Sequence, residues 1–142
     1  MFRYVTQLNL RDTDAAGVAF FAAYYAIAHD TYEAYLRQVG RPLSSWLAEV
    51  HLPIVHSEAD YKAPLRLDDP LEVLMRCVKL GERSFTMSYD FISLQKHLAR
   101  LQTVHVAVDS SNNVPPEAVS LPDELREALE PLTLKGRECS QQ

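Results

Sequence analysis

Residues 11–25 read RDTDAAGVAFFAAYY. Two acids, Asp12 and Asp14, stand one residue apart, small residues and Gly17 follow, and Phe20, Phe21, Tyr24 and Tyr25 open an apolar run. An acid ahead of a helix can cap free N–H groups, complement the helix dipole, or act on a substrate. Phe21, Tyr24 or Tyr25, Ala28, Tyr32, Leu36 and Val39 recur at three- and four-residue spacing, which predicts an amphipathic helix over 20–39. Gly40 and Pro42 suit its C-terminal end. Ala22, Ala23, Ala26, Ala28 and Ala34 keep this helix slim enough for other backbone to approach. Asp14 lies too far ahead of the start to cap N2 or N3. Gly17, between the two, suggests a backbone path that a side chain would block. The capping reading is weakened and a chemical one stands beside it.

Outward from this stretch, strand signals dominate. Residues 4–10 alternate loosely, and a short second helix is expected over 43–50, with Trp46 in the core. Strands are expected over 54–63, 71–80, 84–92 and 98–109. The third alternates cleanly, with Phe85, Met87, Tyr89 and Phe91 against Thr86, Ser88 and Asp90. A last short helix follows Pro122, in DELREALEPL. The order is strand, long helix, short helix, four strands, short helix. It predicts an α+β layer arrangement in which the sheet, most of it an antiparallel meander, wraps one slim helix.

The chain has 142 residues, 47% apolar and 23% charged, with a net charge of −5. That size fits one domain, expected over 1–132 with a polar tail over 133–142. The acidic balance argues against nucleic acid or an anionic membrane as main partner. No apolar run approaches the roughly 20 residues of a membrane span. MFRYVTQLNL has no basic segment followed by an apolar one, so no signal peptide is expected and the setting reads as cytoplasmic. Cys77 and Cys139 are far apart, without metal spacing or the pattern of a disulfide framework.

DTDAAGVAFF followed by a tyrosine-bearing helix resembles the signature of hot-dog-fold acyl-CoA thioesterases of the 4-hydroxybenzoyl-CoA thioesterase class. The resemblance covers residues 4–110. It includes the element order, DYKAP-x-x-x-x-D at 60–69 and ERSF at 82–85. LPIVHSEADYKAP (52–64) and ARLQTVHV (99–106) look like the cyanobacterial branch that hydrolyses 1,4-dihydroxy-2-naphthoyl-CoA on the way to phylloquinone. Tol-Pal-associated acyl-CoA thioesterases carry a histidine where this chain has Phe21. An aromatic residue there is similar to the branches that take aromatic acyl groups.

The resemblance implies roles by position. Asp14, the second acid of D-x-D-x-x-G, would be the nucleophile or general base, and the backbone amide of Phe21 would polarise the thioester carbonyl. Asp12 reads as structural, holding the turn or pairing with Arg11. Arg83 and Ser84 resemble phosphate contacts for coenzyme A, while Gly81 and Glu82 depart from the more basic family pattern. Lys62 and Arg100 are further candidate cations. His56 and His105 are candidate contacts to the aromatic acyl group, and each is also a plausible satisfied strand histidine. Gly17 and Tyr24 complete the candidate substrate contacts, although Tyr24, like Tyr25 and Tyr32, reads more readily as core. His29 reads as a helix-surface or subunit contact, Glu33 as a surface or interface acid, and His51 and His97 as loop residues. No cofactor or metal is implied, since coenzyme A belongs to the substrate.

Two other classes share such a scaffold. A hot-dog dehydratase would need a catalytic histidine in the central-helix motif, which this chain lacks, and a non-catalytic acyl-CoA sensor would not need Asp14. The exposed edge expected of such a sheet implies a homodimer at least, and by resemblance a homotetramer.

Overall fold

The computed structural model describes residues 1–111 and 115–134. The tail from 135 on, Cys139 included, lies outside the described residues. The elements run β1 (Phe2–Gln7), α1 (Phe21–Gln38), α2 (Leu43–Leu47), β2 (Val50–His51), β3 (Ile54–Tyr61), β4 (Pro70–Leu80), β5 (Ser84–Ser93), β6 (Lys96–Val106), β7 (Val108–Asp109) and α3 (Asp123–Leu129). Two 3-10 turns, Leu10–Asp12 and Glu130–Leu132, complete them.

The sheet order is β1-β4-β5-β6-β3, and every neighbouring pair is antiparallel. This corrects the expected meander: only β4, β5 and β6 follow in series. β3 lies at the far edge beside β6, so the β3–β4 connection crosses the width of the sheet. β2 and β7 form a separate two-residue ladder. The β5–β6 connection is two residues, Leu94 and Gln95, both at positive φ, as a tight hairpin requires.

β5 explains the layering. Its inward residues Phe85, Met87, Tyr89 and Phe91 are at most 1% exposed and form one side of the core. The 18-residue α1 supplies the other side: Tyr24 meets Phe91 edge-on at 5.2 Å, and Tyr32 lies against Phe85 and His105. The buried stripe is Ala23, Tyr24, Ile27, Ala28, Thr31, Tyr32, Tyr35 and Leu36. Tyr24 rather than Tyr25 enters the core, and Phe21 and Val39 stay exposed although the periodicity placed them on that stripe. Each sits at a helix end, where its side chain is left uncovered. Only Ala23 and Ala28 of the five helix alanines are buried. α1 stops at a left-handed Gly40 (φ 97°), with Gly40 N donating to Arg37 O and Arg41 N to Leu36 O. Trp46 is buried as expected, with the Arg41 guanidinium 3.7 Å from its ring centroid.

On the other face of β5, Asp90 is only 5% exposed. Arg100 Nε and His97 Nε2 each lie 2.7 Å from its Oδ1, and Arg76 Nη1 lies 3.5 Å from Oδ2. His97 is therefore a strand residue in an ion-pair cluster rather than a loop residue. Burial pushes the Asp90 carboxyl upward, but the hydrogen bonds from Arg100 and His97 outweigh it and hold the group below its ordinary value. A depressed carboxyl stabilises the fold above the unfolded value of about 3.9, and that contribution is lost as pH falls toward the folded value. Asp90→Asn is expected to cost about 1.5–3 kcal/mol at neutral pH. It should also remove this acid-side loss of stability, measured by urea unfolding between neutral and acid pH. An unchanged profile would contradict the account.

Candidate active site

The turn after β1 is a paired strip rather than a loose loop. Asn9 N donates to Asp12 Oδ2 at 3.3 Å, and Thr13 Oγ1 to Leu10 O at 2.7 Å. The chain then folds back on itself: Asp14 N donates to Val18 O, Thr13 bridges to Ala19, and Phe20 N donates to Asp12 O. Asp12 thus holds the turn, as expected. On the far side, Ala19 N donates to Leu65 O and Leu67 N to Gly17 O, so residues 65–67 clamp the strip from outside. Gly17 sits at φ 76°, with nothing within 4 Å of where a Cβ would stand. The left-handed backbone, not crowding, is what asks for glycine, which corrects the expected blocked path.

Asp14 does not cap α1. Its Oδ1 accepts from Ala16 N at 2.8 Å and from Val18 N at 3.4 Å, and its Oδ2 has no partner among the described residues. The carboxylate is exposed, with one oxygen pinned by its own turn and the other free. The same turn delivers the chain to α1 with an extended Phe20 at the N-cap and no side-chain cap. The helix therefore begins with uncapped amides, Phe21 first, at the positive end of its dipole.

Beside this tip lies an open pocket of about 360 Å³, lined by Ala19, Phe21, Tyr24, Tyr61 and residues 62–64. Its walls are mainly aromatic and apolar. Phe21 is 72% exposed at the rim, and the Tyr24 and Tyr61 rings meet edge-on at 4.9 Å. Tyr61, Ala63 and Pro64 were not recognised as site residues from sequence, although DYKAP marks their place.

The other expected contacts do not gather here within one chain. His56 is exposed on β3, five residues from Tyr61. Arg83 is exposed and Ser84 half-buried at the opposite end of β5 from Phe91, about 23 Å away at about 3.3 Å per residue. Their hairpin is fastened to α3 by Arg126 Nη2, 2.7 Å from Gly81 O. A Cβ at Gly81 would stand 3.2 Å from Ser84 O, so the departure from the more basic family pattern matches a tight turn. Arg100 is engaged by Asp90, and Lys62 Nζ lies 3.2 Å from His97 Nδ1. Among the described residues no set of three His, Cys, Asp or Glu side chains is grouped to hold a metal. No helix there is long and apolar enough to cross a membrane.

Residues 8–129 match the Thioesterase-like superfamily, and the chain belongs to that family. A 1,4-dihydroxy-2-naphthoyl-CoA hydrolase of Synechococcus elongatus is 33% identical over 132 residues, spanning 91% of this chain and 95% of the relative. Among solved structures, a 1,4-dihydroxy-2-naphthoyl-CoA thioesterase from Synechocystis superposes with a TM-score of 0.83 at 29% identity, covering 90% of this chain and 94% of the other. A gentisyl-coenzyme A thioesterase superposes with a TM-score of 0.79 at 25% identity, covering 90% and 99%. The fold is the hot-dog thioesterase fold expected from the sequence, an antiparallel sheet with a helix packed on it.

His105 stands apart from the pocket. It is 1% exposed, stacked on Phe85 at 4.7 Å, with Nδ1 3.3 Å from Leu52 O and Nε2 3.0 Å from Thr103 Oγ1. This enclosure matches the satisfied-histidine reading of the two the sequence offered and makes His105 a core residue in the single chain. Nδ1–H donates to the carbonyl, and in the neutral ring that burial favours Nε2 accepts from the hydroxyl. Burial pulls its pKa down to about 4, against the Leu52 hydrogen bond. The unfolded chain takes up this proton near pH 6.5, whereas the folded chain refuses it until about 4. Its contribution is thus complete above the unfolded value and is lost as pH falls to the folded one, about 3 kcal/mol in all. Urea unfolding between pH 7 and 4 is expected to show this slope in the wild type and a shallower one in His105→Gln. Identical slopes would contradict it.

Proposed function

We propose that this chain is an acyl-CoA thioesterase for an aromatic acyl group, and specifically for 1,4-dihydroxy-2-naphthoyl-CoA, the substrate in the names of its relatives. One observation carries the reading. A carboxylate with a free oxygen is held on the same rigid strip that ends in an uncapped helix tip, beside an aromatic-walled pocket. Gentisyl-CoA, named for another structural relative, is also an aromatic thioester.

Asp14 acts on the thioester carbon through its free oxygen. As general base it takes a proton from water while the water oxygen bonds to carbon. As nucleophile it forms an anhydride that water then opens. In either route the carbonyl oxygen becomes negative as the C–O bond forms, and the Phe21 amide at the helix tip stabilises that charge. Such a donor is worth about 2.7–4 kcal/mol. The C–S bond then breaks and coenzyme A leaves as the thiolate, so no strong acid is needed. α1 serves as the central helix of a sheet that curls about it, in one domain spanning 1–132.

The complete site is proposed to need two copies. β3 is an edge strand, with Ile54 45% and Val55 59% exposed. Two such edges pairing about a two-fold axis bury that surface and reverse one sheet against the other. The reversal brings the partner's hairpin, with its Arg83 and Ser84, to the end of the sheet where this chain carries its helix tip. Coenzyme A phosphates would meet Arg83 there, and His56 lies along the seam. A tetramer of two such dimers, working in the cytoplasm where acyl-CoA substrates are made, completes the proposal.

Asp14→Asn keeps the shape and one acceptor oxygen. It is expected to lower kcat for dihydroxynaphthoyl-CoA by about 10²–10⁴-fold with little change in Tm. Across dihydroxynaphthoyl-, hydroxybenzoyl-, benzoyl- and fatty acyl-CoA, the wild type should favour the aromatic thioesters. Near-wild-type turnover in the variant, or a preference for fatty acyl groups, would overturn the reading.

A further inference from the structure

The Tyr61 hydroxyl donates to the Phe21 carbonyl at 2.9 Å, a contact that spans forty positions of sequence. Phe21 is the first residue of α1, in a turn whose two leading amides, Phe21 and Ala22, lack intrahelical partners and whose N-cap offers no side chain. Such a turn frays easily. The tether acts on its first carbonyl. That carbonyl shares a peptide plane with the Ala22 amide, so anchoring it limits rotation of residue 21 and steadies both leading N–H groups.

We propose that Tyr61 is a positioning residue for thioester hydrolysis, its hydroxyl holding the tip of α1 so that the Phe21 amide stays aimed at the reacting carbonyl. This rests on the roles proposed above for Asp14 and Phe21. Ring packing aims the hydroxyl: Tyr61 meets Tyr24 edge-on, and Tyr24 meets Phe91 of the core in the same way. Burial and the neighbouring Tyr25 and Tyr24 push the Tyr61 phenol above its ordinary value, so it remains a donor at neutral pH. Tyr61 is also the last residue of β3, the edge strand. It therefore ties the end of the free sheet edge to the helix tip.

Tyr61→Phe removes only the hydroxyl. The residue is 45% exposed and the ring is kept, so the variant folds. With dihydroxynaphthoyl-CoA as probe, kcat and kcat/KM are expected to fall together by about tenfold, with KM within about twofold, the pattern of an interaction felt in the transition state. Tm should stay within a few degrees, separating aim from stability. A wild-type kcat, or a loss carried by KM alone, overturns the proposal. Asp14→Asn is assayed in parallel. Full activity in that variant sinks the function assigned above, whereas an inactive Asp14→Asn beside a fully active Tyr61→Phe sinks only the role of Tyr61.

Discussion

The rest of the structure depends on a strip of backbone pairing. Residues 12–14 run against 18–20, and residues 17–19 run against 65–67. Local hydrogen bonds alone would leave a surface turn free to open. Clamped from outside by the segment leading into β4, this turn becomes a fixed mount. It holds Asp14 by one carboxylate oxygen and sets the direction in which α1 leaves. A left-handed Gly17 allows the reversal, and an extended Phe20 ends it.

The chemistry proposed for the site is economical because the mount supplies two opposite charges from one element. The free Asp14 oxygen is the electron-rich partner, and the leading amides of α1 are the electron-poor one. A thioester needs little more, since its leaving group departs as a thiolate. The protein's remaining task is to bind. Phe21, Tyr24 and Tyr61 line the pocket proposed for the aromatic acyl group. Arg83 stands too far along the same sheet to serve the same copy's pocket. This separation is why the proposed site takes in the exposed edge of β3 and a second copy.

Much of this was legible in the sequence, where a short-range pattern governs it. Period two in β5 set Phe85, Met87, Tyr89 and Phe91 on one face, which is the core face, and period 3.6 placed α1 within a residue at each end. What stayed hidden depends on partners distant in sequence. β3 crosses the sheet because it pairs with β6, which no local pattern records. Asp90 looks like an ordinary outward acid, and is buried only because Arg76, His97 and Arg100 converge on it from two neighbouring strands. Tyr61 reads as one aromatic in a strand until its hydroxyl is seen at the helix tip. His105 lies in a segment resembling a naphthoyl-CoA branch, but Phe85, Tyr32 and Leu52 enclose it.

The central claim is that the thioester carbonyl lies between Asp14 and the tip of α1. A crystal structure of Asp14→Asn with intact 1,4-dihydroxy-2-naphthoyl-CoA bound tests it most directly. The expected result is a carbonyl oxygen within about 2.7–3.1 Å of Phe21 N, with the acyl ring against Tyr24 and Tyr61. A thioester seated elsewhere, with the helix tip facing only water, would contradict it.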